Sequence, residues 1–481
     1  MRPSAPRRVT ILIAGAVFME LLDATIITTA LPQMALSFHV GPVSLNIGMT
    51  AYLLTLAVFM PISGWMADHM GWRTVFVSAI GAFTVASGLC GMAATLPLFI
   101  LFRILQGMGG AMMVPVGRLI ILRITPKEGL TQALTMITWP GLSALVIGPP
   151  LGGFITTYFS WHWIFFINLP IGAMALVMAL AWIDNIRGDE VHPFDWSTFL
   201  LGGFASACLV WAMEQLSIDV ENWHSPLAIL LVSALSGTVA VLLARRKPHT
   251  ALIDFDSLAH KTYALGVYGA SGFRVAVGVL PFLLPLMFQL TFGMTAFHAG
   301  LYLLVLFAGD FSMKALVLPI LRRWGFRTVI AFNGLLVMAT IALCATFTPH
   351  TPITLIIVIL FFHGGFRSLE FSAVGTLAFA DIPQEGMSRA NGFLSTVMQL
   401  SSGMGVAVGA ISISLIAAAR GHSVAHPELM DFRLTILVAA LLSIGPVVNS
   451  LRLDPRAGAA ASGHLPPTLP PDQLLDDGQC C

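Results

Sequence analysis

Charge is what this sequence has least of. Only 10% of its 481 residues are Asp, Glu, Lys or Arg, against about 25% in an ordinary soluble domain, so a water-exposed globular surface is excluded. The net charge is +1, which leaves no basic field to hold a nucleic acid. Only five cysteines occur. Cys90, Cys208 and Cys344 lie in apolar runs as small buried hydrophobes, and no Cys/His spacing resembles a zinc site, so no metal centre is expected. There is no nucleophile–base constellation and no soluble catalytic stretch, so neither an enzyme nor a cofactor is expected. Period-two alternation is missing as well, which argues against a membrane barrel.

What the chain has is hydrophobicity: 57% of its residues are apolar. Runs of about 20 such residues, the length that crosses hydrocarbon as a helix, recur along nearly the whole length. The chain reads as an all-α integral membrane protein with fourteen spans, the first at 9–31 and the last at 432–451. The first run follows Arg2, Arg7 and Arg8 but contains Glu20 and Asp23 and lacks a cleavage site. A retained span is therefore expected rather than a signal peptide. An even number of spans puts both termini on one side. Placing them in the cytoplasm leaves 18 of the 24 Lys and Arg residues cytoplasmic and only Arg420 and Arg433 outside, as positive-inside asymmetry requires. Residues 452–481 carry five prolines and an acidic end closing on Cys480 and Cys481. They are expected to be a disordered cytoplasmic tail.

Within the spans stand eight charges: Glu20, Asp23, Arg103, Arg274, Asp310, Lys314, Arg367 and Glu370. Each costs about 2.5–3.5 kcal/mol at the centre of a spanning helix, roughly 20–28 kcal/mol together, more than the typical net stability of about 5–15 kcal/mol. Such residues persist only where they face one another or a wet cavity, so an ion or solute pathway is expected.

A repeat organises them. Gly71-Trp-Arg-Thr-Val75 recurs as Gly325-Phe-Arg-Thr-Val329, and Phe102-Arg-Ile-Leu-Gln106 as Phe366-Arg-Ser-Leu-Glu370. The matches imply two six-helix halves in the same orientation. The expected organisation is an N-terminal segment 1–8, a bundle over 9–184, a linker over 185–261 with two extra spans near 197–217 and 225–244, and a second bundle over 262–451.

Several motifs then point to one family. Gly64-Trp-Met-Ala-Asp68-His-Met-Gly71-Trp-Arg73, between the second and third spans, resembles the loop signature G-x-L-A-D-R-x-G-R of the major facilitator superfamily. Leu22-Asp23-Ala-Thr25 through Leu31-Pro32, Arg103-Ile-Leu-Gln106-Gly107 and Trp161 through Pro170 resemble the first, fourth and sixth helices of its fourteen-span drug:proton antiporters (the EmrB/QacA type). Gly148-Pro149-Pro-Leu-Gly152-Gly153 resembles the family's antiporter motif G-x-x-x-G-P-x-x-G-G, with Ala144 in place of the first glycine. The resemblance implies a major facilitator fold of fourteen transmembrane helices. It implies a monomeric transporter in the bacterial inner membrane that exports a small-molecule substrate in exchange for protons. In the loop, His69 and Trp72 depart from the pattern. Asp68 is expected to latch the cytoplasmic side by accepting hydrogen bonds from a neighbouring helix N-terminus or by pairing with Arg118 or Arg123; the alternative is a plain turn with one capping carboxylate.

Roles for the embedded charges follow from spacing. Asp23 and Glu20, one turn apart, form a candidate proton site in which repulsion keeps one proton between them. Arg103 is the counter-charge that releases it, or a purely structural arginine. His363, Arg367 and Glu370 share one helix face, either as a proton relay or substrate contact, or as a local Arg–Glu pair with a bystander histidine. Asp310 and Lys314, at i and i+4, are expected to pair with each other. Arg274 has no helical partner and needs one from another helix or from an anionic substrate group. Gln106, Arg274, Asp310, Lys314, His363 and Arg367 are the expected substrate-cavity residues. Four basic residues balance four acidic ones, so export of an organic anion or a metal chelate of one stays open beside export of lipophilic drugs. A non-transporting membrane sensor is a remote third reading.

Overall fold

The computed structural model describes residues 5–125, 127–184, 194–218, 223–246, 256–382, 387–421, 427–454 and 457–458. Most of the expected tail, with Cys480 and Cys481, and the cations Arg2, Arg187, Lys247 and Arg456 lie outside the described residues.

Among the described residues fourteen long helices follow one another: α1 (Ala5–Ile26), α2 (Asn46–Phe59), α3 (Trp72–Gly91), α4 (Leu96–Ile124), α5 (Lys127–Tyr158), α6 (Asn168–Trp182), α7 (Trp196–Ile218), α8 (His224–Arg246), α9 (Lys261–Leu290), α10 (Ala296–Met313), α11 (Val317–Cys344), α12 (Ile353–Ala378), α13 (Met387–Ala419) and α14 (Leu429–Leu442). Short helices such as Leu31–Phe38 and Ile62–Met70 join or extend them, and no strand occurs among the described residues. Among the described residues thirteen helices are long and apolar enough to cross a membrane. The expected count was fourteen.

The helices pack as two bundles. In the first, α1 packs on α5 and α6, and α4 on α2 and α3; in the second, α9 packs on α12, α13 and α14, and α12 on α10 and α11. The bundles meet along two seams, α5 against α10 and α2 against α13. The extra pair, α7 with α8, lies against the second seam, α7 touching both α2 and α13. The repeat glycines are geometrically alike. Gly71 (φ 94°) and Gly325 (φ 70°) both adopt a left-handed backbone that only glycine takes without strain. Each turns the chain sharply before the helix that follows, and at Gly325 the turn kinks α11.

At one end the two bundles share a single apolar core. Ile26, Leu31, Phe99, Trp161 and Phe165 pack with Leu283, Phe288, Tyr302 and Phe347. Hydrogen bonds cross the junction there, Gln289 Nε2 donating to Thr29 O (3.2 Å) and Phe297 N to Thr157 Oγ1 (3.1 Å). Toward the other end the cores separate, one around Phe76 and Phe83 and another around Phe326 and Leu377. Apolar packing thus closes one end and leaves a wedge between the bundles at the other.

Candidate functional site

The wedge is a cavity of about 830 Å³. It runs from Thr25 and Thr28 at the shared core to Thr376 and Phe379 at the end of α12. Its volume lies in the range of small-molecule sites, about 300–1,000 Å³.

Its charges all come from the second bundle: Arg274, Asp310, Lys314 and Arg367. Asp310 Oδ2 is 2.8 Å from Arg367 Nη2. The expected Asp310–Lys314 pair is not formed, and Lys314 Nζ instead donates to Ser372 Oγ at 3.1 Å. The cause is the α10–α12 crossing. Gly309 lies against the backbone of Phe361 and Gly364 against that of Leu306 and Asp310, and this contact, which admits no Cβ, brings Asp310 to Arg367. Arg274 Nη1 donates to Ser402 Oγ (3.3 Å), its guanidinium lies 4.6 Å from the centre of the Phe371 ring, and its Nε has no partner. The lining therefore holds three basic groups and one acidic group.

The first bundle contributes only uncharged lining, including Ala24, Thr25, Thr28, Met49 and Leu53. Its own charges are sealed behind that wall. Asp23 and Arg103 are each 1% exposed. Arg103 Nη1 lies 2.6 Å from Asp23 Oδ2 and donates to Gln106 Oε1 (2.7 Å). Gln106 Nε2 and Asn168 Nδ2 donate to Asp23 Oδ1 at 2.8 and 2.9 Å. Asn168 also donates to Ser87 Oγ, Arg103 Nε to Gly48 O, and the guanidinium stacks 4.3 Å over Tyr52. Gln106, expected in the cavity, is fully buried in this network and does not line it. Asn168, Ser87 and Tyr52 were not singled out from sequence. Asn168 was the visible signal, a lone amide in the apolar run Trp163–Leu169. Glu20 stands apart: its Oε2 is buried without a hydrogen-bond partner, and a side chain on Gly110 would meet both Glu20 and the Tyr52 hydroxyl.

The expected alignment of His363, Arg367 and Glu370 does not survive packing. His363 is fully buried, does not line the cavity, and shares a hydrogen bond with Thr340 Oγ1 at 3.0 Å. Glu370 accepts from Asn333 Nδ2 at 2.8 Å rather than pairing with Arg367. Both residues face α11, while Arg367 is drawn to α10. The latch is also rearranged. Asp68 accepts from Trp72 Nε1 (3.2 Å), and Arg123 lies over the Trp72 ring (4.8 Å). Arg118 is exposed and forms no ion pair among the described residues. Trp72, where the family pattern has a basic residue, stands between Asp68 and Arg123 in place of a direct salt bridge. Gly64 and Arg73 flank this turn.

The antiporter motif lies in α5 where it crosses α1 and α10. Gly148 packs on Thr25, Gly152 on Ile26 O, and Gly153 on the backbone of Ala296 and Phe297. Pro149 O accepts from Thr29 Oγ1 at 3.3 Å and its backbone meets Gly300. These small residues allow the backbone approach that closes this end.

Comparison with known proteins agrees with this architecture. The family model Major Facilitator Superfamily matches residues 13–406. A Yersinia enterocolitica protein named as a multidrug resistance protein, MdtD, is 37% identical over 409 residues, 84% of this chain and 86% of its own. Its Escherichia coli O127:H6 namesake is 37% identical over 415 residues, covering 86% and 87%. Among solved structures, a bacterial homolog of the human lysosomal transporter Spinster, inward-facing and unoccupied, aligns with TM-score 0.67 at 14% identity over 97% of this chain and all of that one. A D-xylose-proton symporter aligns with TM-score 0.64 at 13% identity, covering 92% and 97%. The chain belongs to the Major Facilitator Superfamily and is a multi-pass membrane transporter.

Proposed function

We propose that this transporter is a multidrug exporter driven by proton entry, with residues 9–184 rocking against 262–451 around the cavity. It works as a monomer in a bacterial inner membrane with both termini cytoplasmic, so the wedge leads to the cytoplasm. The names of its relatives support the substrate class. The observation that carries the coupling is the position of Asp23. It is sealed against Arg103, yet the next two residues, Ala24 and Thr25, line the cavity. A small shift of α1 exchanges the Asp23 carboxylate between arginine and cavity. Protonation of Asp23 frees Arg103 and loosens α1 from α4, and Glu20, one turn away, passes or holds the proton. Glu370, buried with only a neutral amide partner, is the candidate proton site of the second bundle. The available drive is about 1.4 kcal/mol per pH unit plus about 2.3 kcal/mol per charge per 100 mV. Asp23→Asn in inside-out vesicles is expected to abolish pH-driven substrate uptake; undiminished uptake would remove Asp23 from the mechanism.

A second reading, export of an organic anion or a metal–carboxylate chelate, has one observation in its favour: three basic groups face one acidic group in the cavity. A thermal-shift screen of cationic dyes against di- and tricarboxylates separates the two. Stabilisation by dyes supports drug export, and stabilisation by carboxylates alone supports the anion.

A further inference from the structure

A second cavity, of about 360 Å³, lies outside the transport pathway where three separately packed bodies meet. Ala57 and Val58 of α2, Val397 and Leu400 of α13, and the inner faces of α7 and α8 line it. The α2–α13 seam divides it from the central cavity, since a side chain on Gly403 would meet Leu53 Cβ at 3.4 Å.

Its chemistry is that of hydrocarbon. The hydroxyls on its lining are already committed: Ser206 donates to Gly202 O (2.8 Å), Ser233 to Ala205 O (2.6 Å), Thr396 to Gly392 O (3.0 Å), and Thr198 to Asp195 Oδ2 (2.5 Å). No donor remains to orient a polar ligand, and a polar group placed there would lose its hydration without compensation. The surroundings fix the depth. Phe199, on the lining, packs against Phe59, Phe194 and Trp196, and Trp65 stacks on the same cluster. Aromatic residues, Trp above all, gather where hydrocarbon meets headgroups. At this same end α8 finishes with exposed Arg245 and Arg246. Ser233, Gly237 and Val241 line the cavity at four-residue spacing, so Arg245 continues their face one turn further on.

We propose that this cavity binds one acyl chain of an anionic phospholipid, with its headgroup held at Arg245. A basic residue beside a cleft between spanning helices is the charge arrangement that selects anionic lipids. The chain contacts α2, α13 and the α7–α8 pair at once, so the bound lipid wedges the extra pair against the seam between the bundles. This gives the two additional helices a role that the transport cavity does not require.

The test uses the whole protein purified in dodecyl maltoside, with lipid retention read by native mass spectrometry and stability by thermal shift. The probes are dioleoyl phosphatidylglycerol and dioleoyl phosphatidylcholine. The wild type is expected to retain phosphatidylglycerol about fivefold better than phosphatidylcholine, the share of one surface arginine. Arg245→Gln removes that preference. Gly202→Leu, at a position with nothing within 4 Å of an added Cβ, fills the cavity and lowers retention of both lipids about tenfold, with lipid-free melting unchanged. Gly237→Val, whose Cβ makes only ordinary contact with Ala205, is the second filling variant should Gly202→Leu not fold. Equal retention of the two lipids by the wild type overturns the proposal, as does unchanged retention in the filled variants. So does a lipophilic dye that stabilises the protein through this cavity and is not displaced by phosphatidylglycerol.

Discussion

The two bundles of this transporter share an ancestry of pattern but use charge in opposite ways. In the first, Asp23 and Arg103 are each 1% exposed, paired with each other, and bonded further to Gln106, Asn168 and Gly48 O. In the second, Arg274, Asp310, Lys314 and Arg367 line the cavity, and both Arg274 and Arg367 keep an unpartnered Nε. Arg103 and Arg367 are equivalent in the repeat, yet one closes a network and the other opens onto a site. The lesson is that an embedded charge is not by itself a binding charge. Full satisfaction in a dry interior serves position and stability; partial satisfaction on a wet wall leaves bonding capacity for a ligand.

Four substitutions would break or sharpen this contrast. Arg103→Met leaves a buried carboxylate uncompensated and is expected to cost roughly 3–5 kcal/mol, seen as a large drop in melting temperature. The double variant with Asp23→Asn should recover much of that loss, because removing both partners of a buried pair is far cheaper than removing one. If Arg103→Met melts like the wild type, the sealed network is not structural. Gly153→Leu comes next. It forces a side chain into the backbone of Ala296 and Phe297, and overpacking typically costs about 1–3 kcal/mol. Cysteine cross-links across that junction should slow or vanish; unchanged cross-linking would show that α5 and α10 do not close there.

Arg367→Met is expected to be milder than Arg103→Met, since the Asp310 it strands lies on the cavity wall, where water can reach it. Its melting should fall by less than half as much, while ligand affinity changes several-fold; equal destabilisation of the two variants would erase the distinction between bundles. Arg274→Met should have the smallest effect on melting, since Arg274 forms no ion pair among the described residues. Its effect belongs to selectivity, read as the ratio of dye to dicarboxylate affinity in binding titrations. A ratio unchanged from the wild type would take Arg274 out of recognition.

Much of the architecture was legible because a membrane makes the local code simple. A backbone in hydrocarbon must be helical, and run length then yields the elements. The repeat glycines were legible for a similar reason: a turn with positive φ at Gly71 and Gly325 restricts residue type wherever it occurs. Partner choice was not. Asp310 and Lys314 stand at the ideal helical spacing, but Gly309 and Gly364 let α10 and α12 approach closely enough for Arg367 to take the carboxylate. His363, Arg367 and Glu370 share a face on paper. That face is wide enough for α11 to claim two of them and α10 the third. Trp72 showed as a departure from the loop pattern, though its position between Asp68 and Arg123 did not.

Sequence alone determined that this chain lives in a membrane, that it is helical, that its halves repeat, and which eight charges needed an explanation, because each follows from local composition and the cost of desolvation. Tertiary structure decided which of those charges are sealed and which face the cavity. That depends on where helices far apart in the chain cross, and on the glycines and small side chains that set how closely they do so.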